Sequence, residues 1–267
     1  MAQDNFATLC EIVAKLRAPG GCPWDREQTH ESLLPQLIEE AYEVAGSVRN
    51  ADMTNFREEL GDLLLHITMQ AEIARESGRF GIDDVIQEVS EKLIRRHPHV
   101  FGRSSLSDSG AVVRQWESIK RDEKREAHSH FLDGVPKALP ALMRAQKVQS
   151  KVARVHFDWT DVREVTAKVD EELSETKAAI ASDDRASIEH EIGDLLFAVV
   201  NLARKCELDA ESALQGATNK FIARFDRLEE ELKAQGKQLG DVGLEELDNI
   251  WNRIKETSNA QRSTPNA

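Results

Sequence analysis

The chain has 267 residues and a formal net charge of −13. Such an acidic balance repels nucleic-acid polymers and argues against a general DNA- or RNA-binding role, while leaving nucleotides open because a divalent cation reverses the local charge. Hydrophobic residues at 40% suffice for a buried core, and charged residues at 31% with aromatics at 5% favour helix over strand.

Residues 6–17 read as a short amphipathic helix, with Phe6, Leu9, Ile12, Val13 and Leu16 at helical spacing. The turn residues of Ala18 to Asp25 break it. Further helices are expected at about 31–50, 53–77 and 83–96, the last ended by His97-Pro98-His99 because a residue before proline disfavours helix. Ser104 to Gly110 reads as a loop, followed by a helix with Val112, Val113, Trp116 and Ile119. Asp133-Gly134-Val135-Pro136 reads as a boundary, and helices follow at about 137–153, 161–181, 185–206, 209–234 and 244–257. The domain reading is therefore 1–127, a linker at 128–136, a second domain at 137–257 and a disordered tail at 258–267. The longest apolar run, Leu195 to Val200, is far too short for a bilayer. The start lacks a basic region followed by an apolar stretch, and three cysteines without a Cys-x-x-Cys suit a reducing compartment. The expectation is a soluble, cytoplasmic protein with no membrane partner.

The second half repeats the first. Glu40, Glu43, Glu59 and Asp62 match Glu172, Glu175, Glu191 and Asp194 at a constant offset of 132. Both copies read Glu-Glu-x-x-Glu, fifteen intervening residues, then Glu-x-Gly-Asp-Leu-Leu. Lys92 and Arg96 match Lys220 and Arg224 at an offset of 128, so the second copy is four residues shorter in between, around Gly78 to Gly81. Four acids, a glycine and two leucines at one offset indicate duplication.

Within each copy the acids are paired three apart, as neighbours on a helix face. Asp194 precedes Leu-Leu-Phe-Ala-Val-Val, and Ile188, Ile192, Leu195 and Val199 read as a core face, so an acid there is costly unless neutralised. Two antiparallel helices bring both pairs together, and four converging carboxylates need a counter-charge. An oxygen-only donor set suits a hard cation, Mg²⁺ or Mn²⁺. Lys220 and Arg224, spaced i, i+4, are placed to grip phosphate oxygens, with Lys168 on the flank of Glu172. Metal-holding acids with a basic pair beyond them equip a site for phosphoryl chemistry. Taken singly, each group has a plainer reading: a solvated helix face, an Asp paired with a basic residue, a surface Lys/Arg pair.

Trp24, Trp159 and Trp251 read as packing residues, with Trp251 alternatively covering a base. His66, His97 and His99 read as caps more readily than ligands. Glu27-x-x-His30 has no mate, which argues against a di-iron bundle. There is no P-loop, no Gly-x-Gly-x-x-Gly and no serine elbow.

The paired acid motif resembles that of the MazG nucleotide pyrophosphohydrolases, within the all-α NTP pyrophosphatase superfamily. Gly21-Cys22-Pro23-Trp24-Asp25, Arg95 to Phe101, Leu139 to Lys147 and Phe157-Asp158-Trp159 resemble signatures of its long, two-domain form. The resemblance implies an all-α fold of tandem helical bundles assembled as a homodimer. It implies Mg²⁺-dependent hydrolysis of a nucleoside triphosphate between the α and β phosphorus, giving a monophosphate and pyrophosphate. It implies metal ligands Glu172, Glu175, Glu191 and Asp194, and nucleotide contacts from Lys168, Glu171, Glu172, Lys220, Arg224 and Trp251. Glu171, Glu172, Lys220 and Arg224 are the residues expected to act in catalysis, Glu171 by orienting water. It also implies that the C-terminal copy is the active one, although Glu40, Glu43, Glu59, Asp62, Lys92 and Arg96 make a second candidate site. A nucleotide-sensing or docking module and a phosphatase releasing orthophosphate are the rival readings. Base preference is not readable from spacing.

Overall fold

The computed structural model describes residues 5–102, 108–123 and 130–262. Residues 104–107 of the expected loop, 128–129 of the expected linker and 263–267 of the expected tail lie outside that set. Among the described residues every regular element is a helix. The chain divides into two compact units, residues 1–125 and 126–267.

The first unit holds α1 (Asn5–Arg17), α2 (Pro23–Glu27), α3 (Leu34–Arg49), α4 (Met53–Glu76), α5 (Ile82–Arg96), α6 (Pro98–Phe101) and α7 (Ser109–Glu123). α3 and α4 form a hairpin, and α1 packs on α4. Val13, Leu33, Met69 and Ile73 make the buried centre of this packing. The hairpin turn takes a left-handed residue, Ala51 at φ 54. Asp52 then caps α4 by accepting from the Thr54 and Asn55 N–H groups, which contributes about 1 kcal/mol.

The Gly-Cys-Pro-Trp-Asp stretch has a steric reason. A Cβ on Gly21 would sit 2.2 Å from the Leu16 carbonyl oxygen, so only glycine lets the chain double back over the end of α1. Pro23 then starts α2 at a position where no N–H is needed. Trp24 ends up 54% exposed, which corrects its reading as a packing residue: the turn aims it outward while Arg17 anchors the loop from inside. Arg17 donates to Glu76 at 2.8 Å and to the Asp25 and Gln28 carbonyls.

The second unit holds α8 (Ala141–Ala153), α9 (Val162–Ser182), α10 (Arg185–Lys205), α11 (Ala210–Ala234) and α12 (Leu244–Arg262). α9 and α10 form the corresponding hairpin, with α8 packed on α10 and α11. Two aspartates make the turn: Asp183 is left-handed at φ 56, a region Asp tolerates, and Asp184 caps α10. Asp161 and Glu164 form a capping box that fixes the start of α9. Asp158 ties the preceding loop to the end of α10, accepting from Arg204 at 2.5 Å and Lys205 at 3.3 Å. Gln146 bonds the Leu208 carbonyl and the Ala210 N–H, holding the α10–α11 turn. These two contacts account for the Phe-Asp-Trp and Leu139–Lys147 signatures. Leu228, Leu232, Ile250 and Ile254 bury the α11–α12 seam.

Two expectations are corrected. α12 runs to Arg262 rather than ending at 257, so the polar tail begins later; Glu256 to Arg262 contains no Pro or Gly to stop the helix. The four-residue difference between copies lies mostly in α4. At the repeat offset α4 extends three residues further than α10, and the loop after it is one residue longer. No helix is long and apolar enough to cross a membrane among the described residues.

Candidate functional site

The hairpins bring the expected acids together in both copies. In the second, oxygens of Glu172, Glu175 and Glu191 lie within 4.8 Å of one another, and Glu191 and Asp194 form a similar group with His190. Glu191 is thus the shared member, reached from α9 on one side and from Asp194, one turn along α10, on the other. Thr176, buried between the helices, fixes their approach: its hydroxyl lies 2.8 Å from the Glu172 carbonyl oxygen and 3.3 Å from that of Glu191.

Burial is uneven across the quartet. Glu172 is 6% exposed, whereas the Asp194 side chain is 49% exposed and 2.9 Å from His190 Nδ1. The expectation that Asp194 is the embedded acid is therefore corrected. Ile192 and Val199, read as core, are also 43% and 45% exposed, because α10 turns toward α9 and α8 the face carrying Ala198, Val200 and Asn201.

Glu172 has one cation beside it. Lys168 Nζ stands 2.7 Å from Glu172 Oε1 and 2.7 Å from Glu171 Oε1. Those two carboxylates hold the ammonium charged well above its ordinary range, Glu171 first and Glu172 second. The other oxygen of Glu172, Oε2, is buried without a partner. Burial and then the neighbouring charges of Glu172 and Glu191 raise Glu175. A buried carboxylate oxygen facing other carboxylates is costly, and a hard divalent cation is the natural neutraliser. The donor set fits one: Glu172, Glu175 and Glu191 supply oxygens from two helices, and Asp194 adjoins them through Glu191 with His190 Nδ1 beside it.

Lys220 and Arg224 sit on α11, which packs on α8 and α12 and touches α10 more lightly. Lys220 is exposed and Arg224 half-buried. Neither makes an ion pair among the described residues, and Arg224 Nε is buried without a hydrogen-bond partner. Trp251 lies on α12 against the Leu228 cluster, its ring 5.0 Å from that of Phe221. This placement favours its packing reading.

In the first copy Glu40, Glu59 and Asp62 converge within 4.8 Å, and Glu43 acts on both glutamates. Here no lysine joins them among the described residues: the counterpart of Lys168 is Gln36, whose Oε1 is buried and unpartnered. Glu59 is accordingly pushed up to about 6, first by burial and then by Glu43, and Glu40 is raised by burial and Asp62. His66 Nε2 stands 3.9 Å from Glu40, but burial lowers its pKa and favours its neutral form.

The basic pairs also differ. Lys92 meets Glu88 at 3.5 Å on an exposed face. Arg96 is taken by α7: it donates to Glu123 at 2.5 and 3.0 Å and stacks 5.2 Å over Trp116. Gln36, His66, Thr176 and Glu123 are features the repeat arithmetic passed over. A signal for the last existed. Trp-x-x-Ile-Lys occurs at Trp116–Lys120 and again 135 positions later at Trp251–Lys255, and at that offset Glu123 matches Ser258.

The family model for the MazG nucleotide pyrophosphohydrolase domain matches this chain twice, over residues 28–101 and 161–228. The chain belongs to the MazG family. Both matches span a hairpin with its four acids and the basic pair beyond it. Among MazG relatives, the nucleoside triphosphate pyrophosphohydrolase/pyrophosphatase MazG of Thermotoga maritima is 46% identical over 250 residues, covering 94% of this chain and 95% of the relative. The nucleoside triphosphate pyrophosphohydrolase of Escherichia coli K12 is 45% identical over 256 residues, covering 94% and 97%. The uncharacterised protein YabN of Bacillus subtilis is 45% identical over 254 residues, which is 95% of this chain but 52% of that relative.

Proposed function

We propose that the chain hydrolyses nucleoside triphosphates between the α and β phosphorus atoms, releasing a nucleoside monophosphate and pyrophosphate, at the quartet of α9 and α10. One observation carries the choice of site. The second unit holds two buried, unpartnered groups of opposite sign, Glu172 Oε2 and Arg224 Nε. A carboxylate oxygen and a guanidinium nitrogen left without partners are the complement of a metal–polyphosphate ligand. The names of the Thermotoga and E. coli relatives support the reaction class.

Mg²⁺, or Mn²⁺ in its place, would be held by Glu172, Glu175, Glu191 and Asp194, and when bound it supplies Lewis-acid polarisation of phosphate and a water of lowered pKa. The chain's own groups do the rest. Lys220 and Arg224 hold the anionic oxygens of the β and γ phosphates, the guanidinium through its planar fork. Glu171 takes the proton of the attacking water. The water oxygen bonds to the α-phosphorus, the bond from that phosphorus to the bridging oxygen breaks, and pyrophosphate leaves with the electron pair. Lys168 keeps Glu171 and Glu172 in place and faces the nucleotide. The working form is a homodimer in the cytoplasm. Leu196, Phe197, Val199, Phe221 and Ile222 are each 45–56% exposed, an apolar stretch suited to a second copy.

The test is the fate of oxygen-18-labelled water during turnover of ATP and other nucleoside triphosphates with Mg²⁺. Label in the monophosphate with unlabelled pyrophosphate is the expected result. Release of orthophosphate and a diphosphate would refute the reading.

A further inference from the structure

In the first copy the residue matching Arg224 is already engaged by an anion, and that anion belongs to its own unit. Glu123, near the end of α7, receives the Arg96 guanidinium through Nη2 and Nε at 2.5 and 3.0 Å, and Arg95 Nε at 2.5 Å on its other oxygen. The two arginines hold Glu123 at a pKa of about 2, Arg96 contributing most. The Arg96 side chain is 11% exposed and that of Glu123 is 19% exposed, although Glu123 closes α7 at an exposed position. Trp116 completes the seat, with Arg96 over its ring at 5.2 Å and Lys120 at 4.7 Å. A carboxylate gripped by two guanidiniums presents oxygens much as a phosphate does.

The second copy keeps the same Trp-x-x-Ile-Lys helix pattern but carries Ser258 where the first carries Glu123. There the equivalent arginine, Arg224, has its Nε unpartnered. Among the described residues α7 supplies Arg96 with an internal anion, and α12 supplies Arg224 with none.

We infer that α7 is a latch on a second polyphosphate site in the first copy: Glu123 occupies Arg96 as an intramolecular stand-in for a phosphate oxygen, and the site takes pyrophosphate or the polyphosphate chain of a nucleotide once Glu123 withdraws. The inference rests on the reading of the Lys/Arg pairs as phosphate grips. Competition follows directly, because Arg96 cannot satisfy both anions with one fork. The quartet of α3 and α4 stands in the same unit, and α5, which bears Arg96, packs on α4.

Calorimetric titration of the full chain with inorganic pyrophosphate and Mg²⁺ tests this. Glu123→Gln is expected to add one binding site per chain, about tenfold tighter than any first-unit binding in wild type, the factor carried by about one charge-assisted hydrogen bond. Adding Arg96→Met should remove the extra site. Unchanged stoichiometry and affinity in Glu123→Gln, with helix content retained, would overturn the latch. Absence of binding by the wild-type second unit would instead count against the phosphate-grip reading, since the latch is read from the increment alone. Hydrogen exchange on the wild-type chain gives a check that needs no variant. Pyrophosphate with Mg²⁺ should speed exchange across residues 109–123 relative to chloride at equal ionic strength, and unchanged exchange there would contradict the latch.

Discussion

Lys168→Gln converts the second copy to the arrangement of the first, where Gln36 stands at that position. Glu172 is 6% exposed, its Oε2 has no partner, and Lys168 Nζ lies 2.7 Å from its Oε1. Breaking a fully buried ion pair from one side costs about 3–5 kcal/mol. The Lys168 side chain is 34% exposed, so solvent already screens part of the pair and glutamine keeps a neutral donor. The expected loss is about 2–8 °C in melting temperature for a chain of this size. The assay is thermal unfolding followed by circular dichroism, in EDTA and in excess Mg²⁺. The loss should appear in full in EDTA and shrink with Mg²⁺, because a cation bound only to the folded quartet stabilises by mass action. An unchanged melting temperature in EDTA would refute the role given to Lys168, and a loss that ignores Mg²⁺ would refute the quartet as a cation site.

The reverse substitution, Gln36→Lys, should raise the melting temperature in EDTA and bring Glu59 down from about 6, as read by carboxyl-carbon NMR titration. The raised Glu59 also sets a pH dependence. A folded pKa above the ordinary 4.5 means that protonation favours the fold, so this contribution is present below the ordinary value and lost as pH rises through about 6. In EDTA, Glu59→Gln should therefore melt higher than wild type at about pH 7.5 and match it by about pH 5. Glu40 shifts in the same direction, while His66, depressed by burial, loses stability as pH falls; both are present in the two proteins, so the difference between them isolates Glu59. Thr176→Val should cost about 0.5–1.5 kcal/mol in urea denaturation by removing the hydroxyl that joins the Glu172 and Glu191 carbonyls, and an unchanged midpoint would contradict that joining role.

The fold was legible where local chemistry repeats. The hairpins follow from apolar periodicity flanked by Asp caps, Asp52 and Asp184, and the constant offset places both quartets on matching helices. What escaped depends on packing partners that spacing does not encode. Asp194 borders an apolar run and shares a helix face with Ala198 and Asn201, yet its side chain is half exposed beside His190. Trp24 is held outward by a turn whose steric cause, the approach of Gly21 to the end of α1, exists only in three dimensions. The inequality of the copies was likewise invisible in the acids. It resides in a lysine replaced by Gln36 and in Glu123, drawn from a helix beyond the matched segment.

The central claim is that the α9–α10 quartet performs the hydrolysis. Pyrophosphate release from nucleoside triphosphate with Mg²⁺, measured on full-length Glu172→Gln and Glu40→Gln side by side, tests it most directly. Glu172→Gln is expected to abolish release with helix content intact, while Glu40→Gln keeps turnover close to wild type. Turnover retained in Glu172→Gln and lost in Glu40→Gln would contradict it.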